Sequence, residues 1–245
     1  MIHRPFAIQC FETAPASVLD VTVRFADADP PASGPALAHR LMRHFARVGA
    51  RGGLSGAGIP PGLSTLVLRD WRLSGNLCAW RMDHVRIAPS ARLVLENLIH
   101  WVHHEGAPVA QLTITVPPAD PMCQPRSSPP GMFTPPPFQY EVGPVYEDVV
   151  VEVDFIEPVH DKGVWNAFAR FAESWMYVAG ASGFEVGGSF SGSLAYPAAV
   201  PDSQADRITL YFDDVAADDA AFDALLNGFH YLHDHAAPVC YVDIY

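Results

Sequence analysis

The sequence predicts an α+β fold built twice over, and three observations carry that prediction. Asn97-Leu-Ile-His100-Trp101-Val-His103, running on to Ala107-Pro108-Val109, returns as Asn227-Gly-Phe-His230-Tyr231-Leu-His233, running on to Ala237-Pro238-Val239. Matched positions lie 130 residues apart, since 230 − 100 = 130 and 238 − 108 = 130. Short runs that alternate apolar with polar residues are interleaved with longer runs at helical spacing, the signatures of half-buried strands and amphipathic helices.

The correspondence extends well beyond the motif. Val21, Val23 and Phe25 fall on Val151, Val153 and Phe155, Gly53 on Gly183, Asp83 on Asp213, and in the lead-in Pro5 and Gln9 on Pro135 and Gln139, with no insertion. Two long copies without a third share one fold rather than forming an array, which needs three or more shorter units.

Taken in order, residues 6–11 form a short leading strand, answered by 138–142. Val18 to Phe25 alternates, with Val21, Val23 and Phe25 on one face and Asp20, Thr22 and Arg24 on the other. Ser33-Gly34-Pro35 opens a helix, a cap followed by proline near the first turn. That helix runs to about residue 50 with Leu37, Leu41, Phe45 and Val48 as its apolar stripe. Its counterpart follows an Asp161 cap, with Val164, Phe168, Phe171, Trp175 and Val178 in the stripe. Two strands come next in each copy: 63–68 and 77–85, then an alternation through Phe184, Val186, Phe190, Leu194 and Tyr196, and 207–212. A second helix covers 90–104 and 218–235, ended by Ala-Pro because proline cannot continue it. The last strands are 109–116 and 239–245.

Each half is therefore βαββαβ with a leading strand. That order is the ferredoxin-like unit, a four-stranded antiparallel sheet with two helices on one face, here duplicated in tandem as a fused pseudo-dimer. The domains are residues 1–116, a proline-rich linker at 117–130, and residues 131–245. The linker holds six prolines, at 117, 118, 121, 125, 129 and 130, which makes it a stiff, extended spacer.

Composition narrows the function classes. At 49% hydrophobic and 17% charged, the chain has enough apolar surface for a core and is not disordered. No apolar run reaches the roughly 18 residues a membrane helix requires, and the start lacks the features of a secretory signal, so a cytoplasmic protein with no membrane partner is expected. Cys10, Cys78, Cys123 and Cys240 show no Cys-x-x-Cys pair and read as free thiols. A formal charge of −12, with 27 acids against 15 Lys and Arg, argues against nucleic acid, whose binding depends on cations neutralising phosphates. It favours a basic protein partner.

Two constellations are candidates for chemistry. His100 with His103, and His230 with His233, sit at i, i+3 near a helix end, a spacing that suits either a metal ion or a cap on the last carbonyls. With no His-Glu-x-x-His frame, capping is preferred, and neither metal nor cofactor is expected. The second candidate is the sheet face that the helices leave bare. In the second copy alternation places Glu152, Asp154, Tyr211, Tyr241, Asp243 and Tyr245 on it, with Asp213 and Asp214 following Tyr211. The first copy places Asp20, Thr22, Arg24, Arg81, Gln111, Thr113 and Thr115 at matching places. Either the two bare faces pack on each other, Arg24 and Arg81 answering Glu152 and Asp154, or each stays open.

An acidic, tyrosine-rich surface suits a protein interface, where tyrosine is enriched and charge pattern selects the partner. The preferred reading is a non-enzymatic inhibitor or immunity-type protein that neutralises a basic partner. The alternatives are a small enzyme of the dimeric α+β barrel kind (isomerase, decarboxylase or cofactor-free monooxygenase), with Asp154 or Asp243 as base beside Tyr211, or a metal-binding protein using the histidine clusters. Catalysis has no motif behind it: Ser189, Ser191 and Ser193 lack a Gly-x-Ser-x-Gly frame.

Overall fold

The structure, a computed structural model, describes residues 4–56, 66–84, 90–123, 131, 135–144, 148–185, 202–204, 206–213, 217 and 219–245. The first half contains β1 (Ala7–Phe11), β2 (Val18–Phe25), α1 (Ser33–Gly49), β3 (Leu66–Ser74), β4 (Leu77–His84), α2 (Ala91–His104) and β5 (Val109–Thr115). The second contains β6 (Gln139–Val142), β7 (Val149–Phe155), α3 (Lys162–Gly180), β8 (Asp202–Gln204), β9 (Arg207–Phe212), α4 (Asp219–His235) and β10 (Val239–Ile244). It is a mixed α+β arrangement with two sheets and four α-helices among the described residues, and none of those helices is long and apolar enough to cross a membrane.

Alternation decides which way each strand faces. Leu19, Val21, Val23 and Phe25 of β2 are buried while Asp20 and Thr22 are half-buried and Arg24 is exposed. The β7 pattern is the same, with Val149, Val151, Val153 and Phe155 buried. The sheets run β1-β5-β2-β4-β3 and β6-β10-β7-β9-β8. Five strands, not the expected four, make up each, because the leading strand adds to the sheet in parallel with the last one. An edge strand carries a row of unpaired N–H and C=O groups, and β1 and β6 satisfy those of β5 and β10.

The central registers repeat between the halves. Val21 pairs with Ile114 and Val151 with Ile244, and Val23 pairs with Cys78 and Val153 with Ile208, each shifted by 130. A bulge interrupts both β2–β5 and β7–β10 at matching places. The leading strands depart from this register. Gln9 faces Thr113, 104 residues on, whereas Gln139 faces Tyr241, 102 residues on, so the lead-in repeats at 132 and, in equivalent register, two fewer residues separate β6 from β7 than separate β1 from β2. Pro5 and Gln9 are therefore not the counterparts of Pro135 and Gln139. A slip of two preserves the faces, since side chains alternate with period two.

Helical stripes close each core. Ala38, Leu41, Phe45 and Val48 of α1 are buried, as are Phe168, Phe171, Trp175 and Val178 of α3. Asp161 caps α3 as its position suggests, accepting from Gly163 N at 2.7 Å. Ser33 does not cap α1: the helix begins at Ser33 itself, and the N-cap position falls on Ala32, which makes no side-chain capping bond. The requirement there falls on Gly34, where a Cβ would lie 2.4 Å from the Ala107 Cβ.

The halves meet helix to helix. The α1 and α3 helices lie against each other, with His44 Nδ1 3.2 Å from Ser174 Oγ and the His44 ring stacked 4.1 Å from Tyr177. Each sheet therefore carries helices on its inner face, and among the described residues the outer face is left largely bare, with Thr209 buried within it, and the two outer faces do not pack on each other.

Cys10 and Cys123 are joined in a disulfide with Cα atoms 5.7 Å apart, which corrects the reading of four free thiols; Cys78 and Cys240 are free. The spacer is also not simply extended. It contains a 3-10 turn, Pro121–Cys123, in which Met122 is fully buried. Arg92 of α2 donates to the Cys123 carbonyl at 2.9 Å and to Glu96 at 2.8 Å, so bridge, arginine and methionine tie the start of the spacer to the first half. The glycine-rich run from 186 to 196 lies outside the described residues, and Phe184 sits buried in the turn that follows α3.

Candidate functional site

Three cross-strand rows make up the bare face of the second sheet. Arg207, Asp154, Tyr241 and Gln139 form the first; Thr209, Glu152, Asp243 and Glu141 the second; Tyr211 and Val150, with Tyr245 beyond, the third. Val150 and Tyr245 exchange backbone hydrogen bonds of 2.7 and 3.0 Å, which places the Tyr211 and Tyr245 rings on either side of Val150. Alternation along β7, β9 and β10 brings these groups to one surface, as expected for Glu152, Asp154, Tyr211, Tyr241, Asp243 and Tyr245. Asp213, just past β9, is exposed, and Asp214 lies outside the described residues.

Two members of this surface went unrecognised in the sequence. Arg207 donates from Nε and Nη2 to Asp154 at 2.5 and 2.9 Å and from Nη1 to Glu152 at 2.7 Å. Hydrogen bonding to Asp154 raises its pKa above the ordinary guanidinium value. Its position opposite Asp154 follows from the β7–β9 register, which alternation alone does not give. Glu141 was missed because β6 is an added edge strand. It accepts from the Tyr241 hydroxyl at 3.2 Å, and the Tyr245 hydroxyl donates to Glu152 at 3.3 Å. Desolvation first, then the neighbouring carboxylates, holds both phenols above their usual pKa, so they remain neutral donors.

The middle row is the unusual one. Glu152, Asp243 and Glu141 stand side by side on three adjacent strands. Like charges directly opposite each other destabilise a sheet. Arg207 reaches Glu152 and tyrosines reach Glu152 and Glu141, but among the described residues no hydrogen bond reaches the Asp243 carboxylate. Tyr211 and Tyr245 remain 44% and 48% exposed, aromatic surface beside a negative row.

The bare face of the first sheet is balanced instead. Arg81 grips Asp20 with two bonds of 2.8 and 2.9 Å, Arg69 pairs with Asp83 at 2.5 Å, and Arg72 with Asp70 at 2.9 Å. A shallow depression of about 380 Å3 lies there, lined by Asp20, Asp70, Arg72 and Arg81. Arg81 answers Asp20 in its own sheet, and Glu152 and Asp154 are answered by Arg207 in theirs, so of the two alternatives the pairing of Arg81 across the halves does not form.

The repeated histidines are positioned as structural ties. Nδ1 of His103 accepts from Val109 N at 3.0 Å and Nδ1 of His233 from Val239 N at 2.9 Å, so each ring fastens its helix to the strand that follows rather than capping helix carbonyls. Phe6 and Phe138 rest near these rings, at 6.1 and 6.0 Å. His100 contacts Arg4 at 2.8 Å, and burial, then Arg4, pushes its pKa down to about 4. His230 lies 3.8 Å from Asp234 and is lowered by burial. Among the described residues no group of three or more His, Cys, Asp or Glu is disposed to hold a metal ion. The motif asparagines grip main chain elsewhere: Asn97 donates to the Gly183 and Glu185 carbonyls at 2.9 and 2.8 Å, and Asn227 to Gly131 at 3.0 Å. No protein-family model matches the chain, and no curated protein matches it.

Proposed function

We propose that the chain is a tandem pair of ferredoxin-like βαββαβ units joined through their helices, and that it acts as a non-enzymatic inhibitor or immunity-type protein whose second sheet docks a basic protein. The observation that carries this reading is the Glu152–Asp243–Glu141 row, a set of adjacent carboxylates flanked by exposed Tyr211 and Tyr245. A cationic partner surface would relieve the repulsion in that row, and the tyrosines would supply apolar contact around it. An enclosed chamber between two sheets, the setting for the barrel-type enzyme, finds no support in a chain whose halves meet through helices. The Cys10–Cys123 bridge favours an oxidising compartment over the cytoplasm expected above.

The test is comparative. Partners captured from the native host by the wild-type chain are identified alongside those captured by Glu152→Arg/Asp243→Arg and by Arg81→Glu on the opposite face. A basic protein lost only with the first variant supports the reading. A partner that binds all three chains equally, or turnover of a small molecule by the purified chain, overturns it.

A further inference from the structure

The first sheet ends on β3, a strand of nine residues that pairs with β4 on one side and, among the described residues, with no strand on the other. From Arg69 to Ser74 every residue is exposed. An open edge of this length presents a row of unpaired N–H and C=O groups, a template for another strand. The corresponding edge of the second sheet, β8, has three described residues.

Both faces of this edge are prepared for a neighbour. The β3–β4 register is regular from Asp70 to Ser74, its bulge falling before Asp70, so Trp71 and Leu73 share the helix side and Asp70 and Arg72 the outer side. On the helix side Trp71 and Leu73 remain 40% and 50% exposed. The Trp71 ring is already fixed, stacked 4.1 Å from His39 of α1, whose Nδ1 accepts from Trp80 Nε1 at 3.2 Å. An anchor held in place before binding loses little freedom on burial. On the outer side a row of alternating charge runs from Asp20 of β2 through Arg81 of β4 to Asp70 and stops at the edge. Its continuation calls for a cation.

A second copy of β3 supplies one. Antiparallel pairing about a two-fold axis at Trp71 sets Asp70 opposite Arg72 of the second copy and Arg72 opposite its Asp70, since 70 + 72 = 71 + 71. Within one copy these two residues already bond along the strand at 2.9 Å, and the pairing gives each a further partner across it. Trp71 then meets its own equivalent, with each Leu73 diagonal to it on the same face. A slip of two residues either way sets Asp70 against Asp70 or Arg72 against Arg72, and a slip of one puts inner residues opposite outer ones. Arg69 and Arg72 outnumber Asp70 on this strand, so the edge escapes the repulsion that a net charge of −12 imposes on two copies elsewhere.

We infer that β3 is a homodimerisation edge, at which two copies of the chain join their first sheets across a two-fold axis at Trp71. It is separate from the acidic face of the second sheet and does not depend on that face having a partner.

The experiment is sedimentation velocity of the full chain over a range of concentrations, for the wild type, Arg72→Asp, Asp70→Arg and an equimolar mixture of the two variants. The wild type is expected as a dimer that dissociates on dilution. Each variant alone faces itself with like charges and should dimerise at least about tenfold more weakly, equivalent to about 1.4 kcal/mol. In the mixture an acidic edge meets a basic one, so a heterodimer should form about as tightly as the wild-type dimer. Damage to the fold or loss of apolar contact would not be repaired by mixing. A wild-type chain that stays monomeric throughout, a dimer that Arg72→Asp leaves unchanged, or a mixture that associates no better than its components would each overturn the proposal. Should Asp70→Arg fail to fold because Arg81 stands opposite it, the wild-type and Arg72→Asp chains decide the matter, since the Arg72 side chain is 81% exposed and its replacement leaves the core untouched.

Discussion

His44 and Ser174 hold the same place in the two copies of the repeat and bond to each other, Nδ1 to Oγ at 3.2 Å, across the α1–α3 junction. His44 is only 7% exposed. Burial first, then Arg47, Arg43 and Arg40, pushes its pKa from 6.5 to about 3. The junction between the halves is thus built around an imidazole that must stay neutral.

A pH dependence follows. The unfolded chain takes up a proton at this position as pH falls below 6.5, and the folded chain does not do so until about 3. Stability from this group is complete above pH 6.5 and is lost progressively between 6.5 and 3. Urea denaturation between pH 7 and pH 4 should show His44→Gln flattening the profile by up to about 1.4 kcal/mol per pH unit. His100 and His230 are depressed as well, so a residual slope of the same sign remains. An unchanged slope in the variant would place His44 in a solvated, protonatable setting.

The core of the second half makes an opposite-sign prediction at Gly228. Glycine in a helix interior is normally improved by alanine, by about 1 kcal/mol. Here a Cβ would lie 1.8 Å from Phe171 Cζ. The first half carries Leu98 and Leu41 at the matching places, so a Leu–Leu pair has become a Gly–Phe pair. Gly228→Ala should destabilise by about 1–3 kcal/mol through overpacking. Gly228→Leu combined with Phe171→Leu should be less destabilised than Gly228→Leu alone.

How far the sequence reached can be judged from these positions. Alternation and helical stripes found the four helices and most of the described strands, because burial on one face imposes a period that survives in the residues; the short edge strand β8 at Asp202–Gln204 was not foreseen, and β3 runs on through Leu66–Ser74 past the expected end at 68. The docking of the halves was not legible: no sequence period distinguishes a helix face that meets its own sheet from one that also meets another helix, and His44 looked like any polar residue of α1. Arg207, Glu141 and the Cys10–Cys123 bridge were missed for a related reason. Each depends on register or on chain segments that are distant in sequence, and a slip of one or two residues, as between β1 and β6, is invisible in composition. The acidic face was legible because it needs only period two, whereas the separate roles of its carboxylates required the cross-strand partners.

The disulfide is testable by counting thiols. Of four cysteines two are bridged, so the denatured, unreduced chain should react at two sites, Cys78 and Cys240. In the native chain only exposed Cys240 should react, since burial pushes the Cys78 thiol up to about 11. The bridge spans 113 residues, and constraining a loop of that size stabilises by about 4–5 kcal/mol at most in the chain-entropy view. Reduction, or Cys10→Ser with Cys123→Ser, should lower the denaturation midpoint by an amount within that bound. Four reactive thiols in the unreduced, denatured chain would remove the bridge.

The acidic row gives the prediction closest to function, because its two consequences have opposite signs. Asp243 stands between Glu152 and Glu141 and, among the described residues, receives no hydrogen bond. Removing its charge should relieve repulsion, so Asp243→Asn should stabilise the free chain by about 0.2–1 kcal/mol at low salt, a gain that shrinks as salt screens the row. The same substitution should weaken capture of a basic partner, chiefly by slowing association and reducing its salt dependence, since long-range attraction acts mainly on encounter. Tyr211→Ala separates the other contribution. With its ring 44% exposed, the change should leave the fold intact, while truncating an aromatic anchor should cost about 2 kcal/mol of affinity through faster dissociation. A stabilised Asp243→Asn that binds the basic partner as fast as the wild type would show that the row serves no docking role. A destabilised one would show that Asp243 is held by a favourable contact and that its charge is not uncompensated.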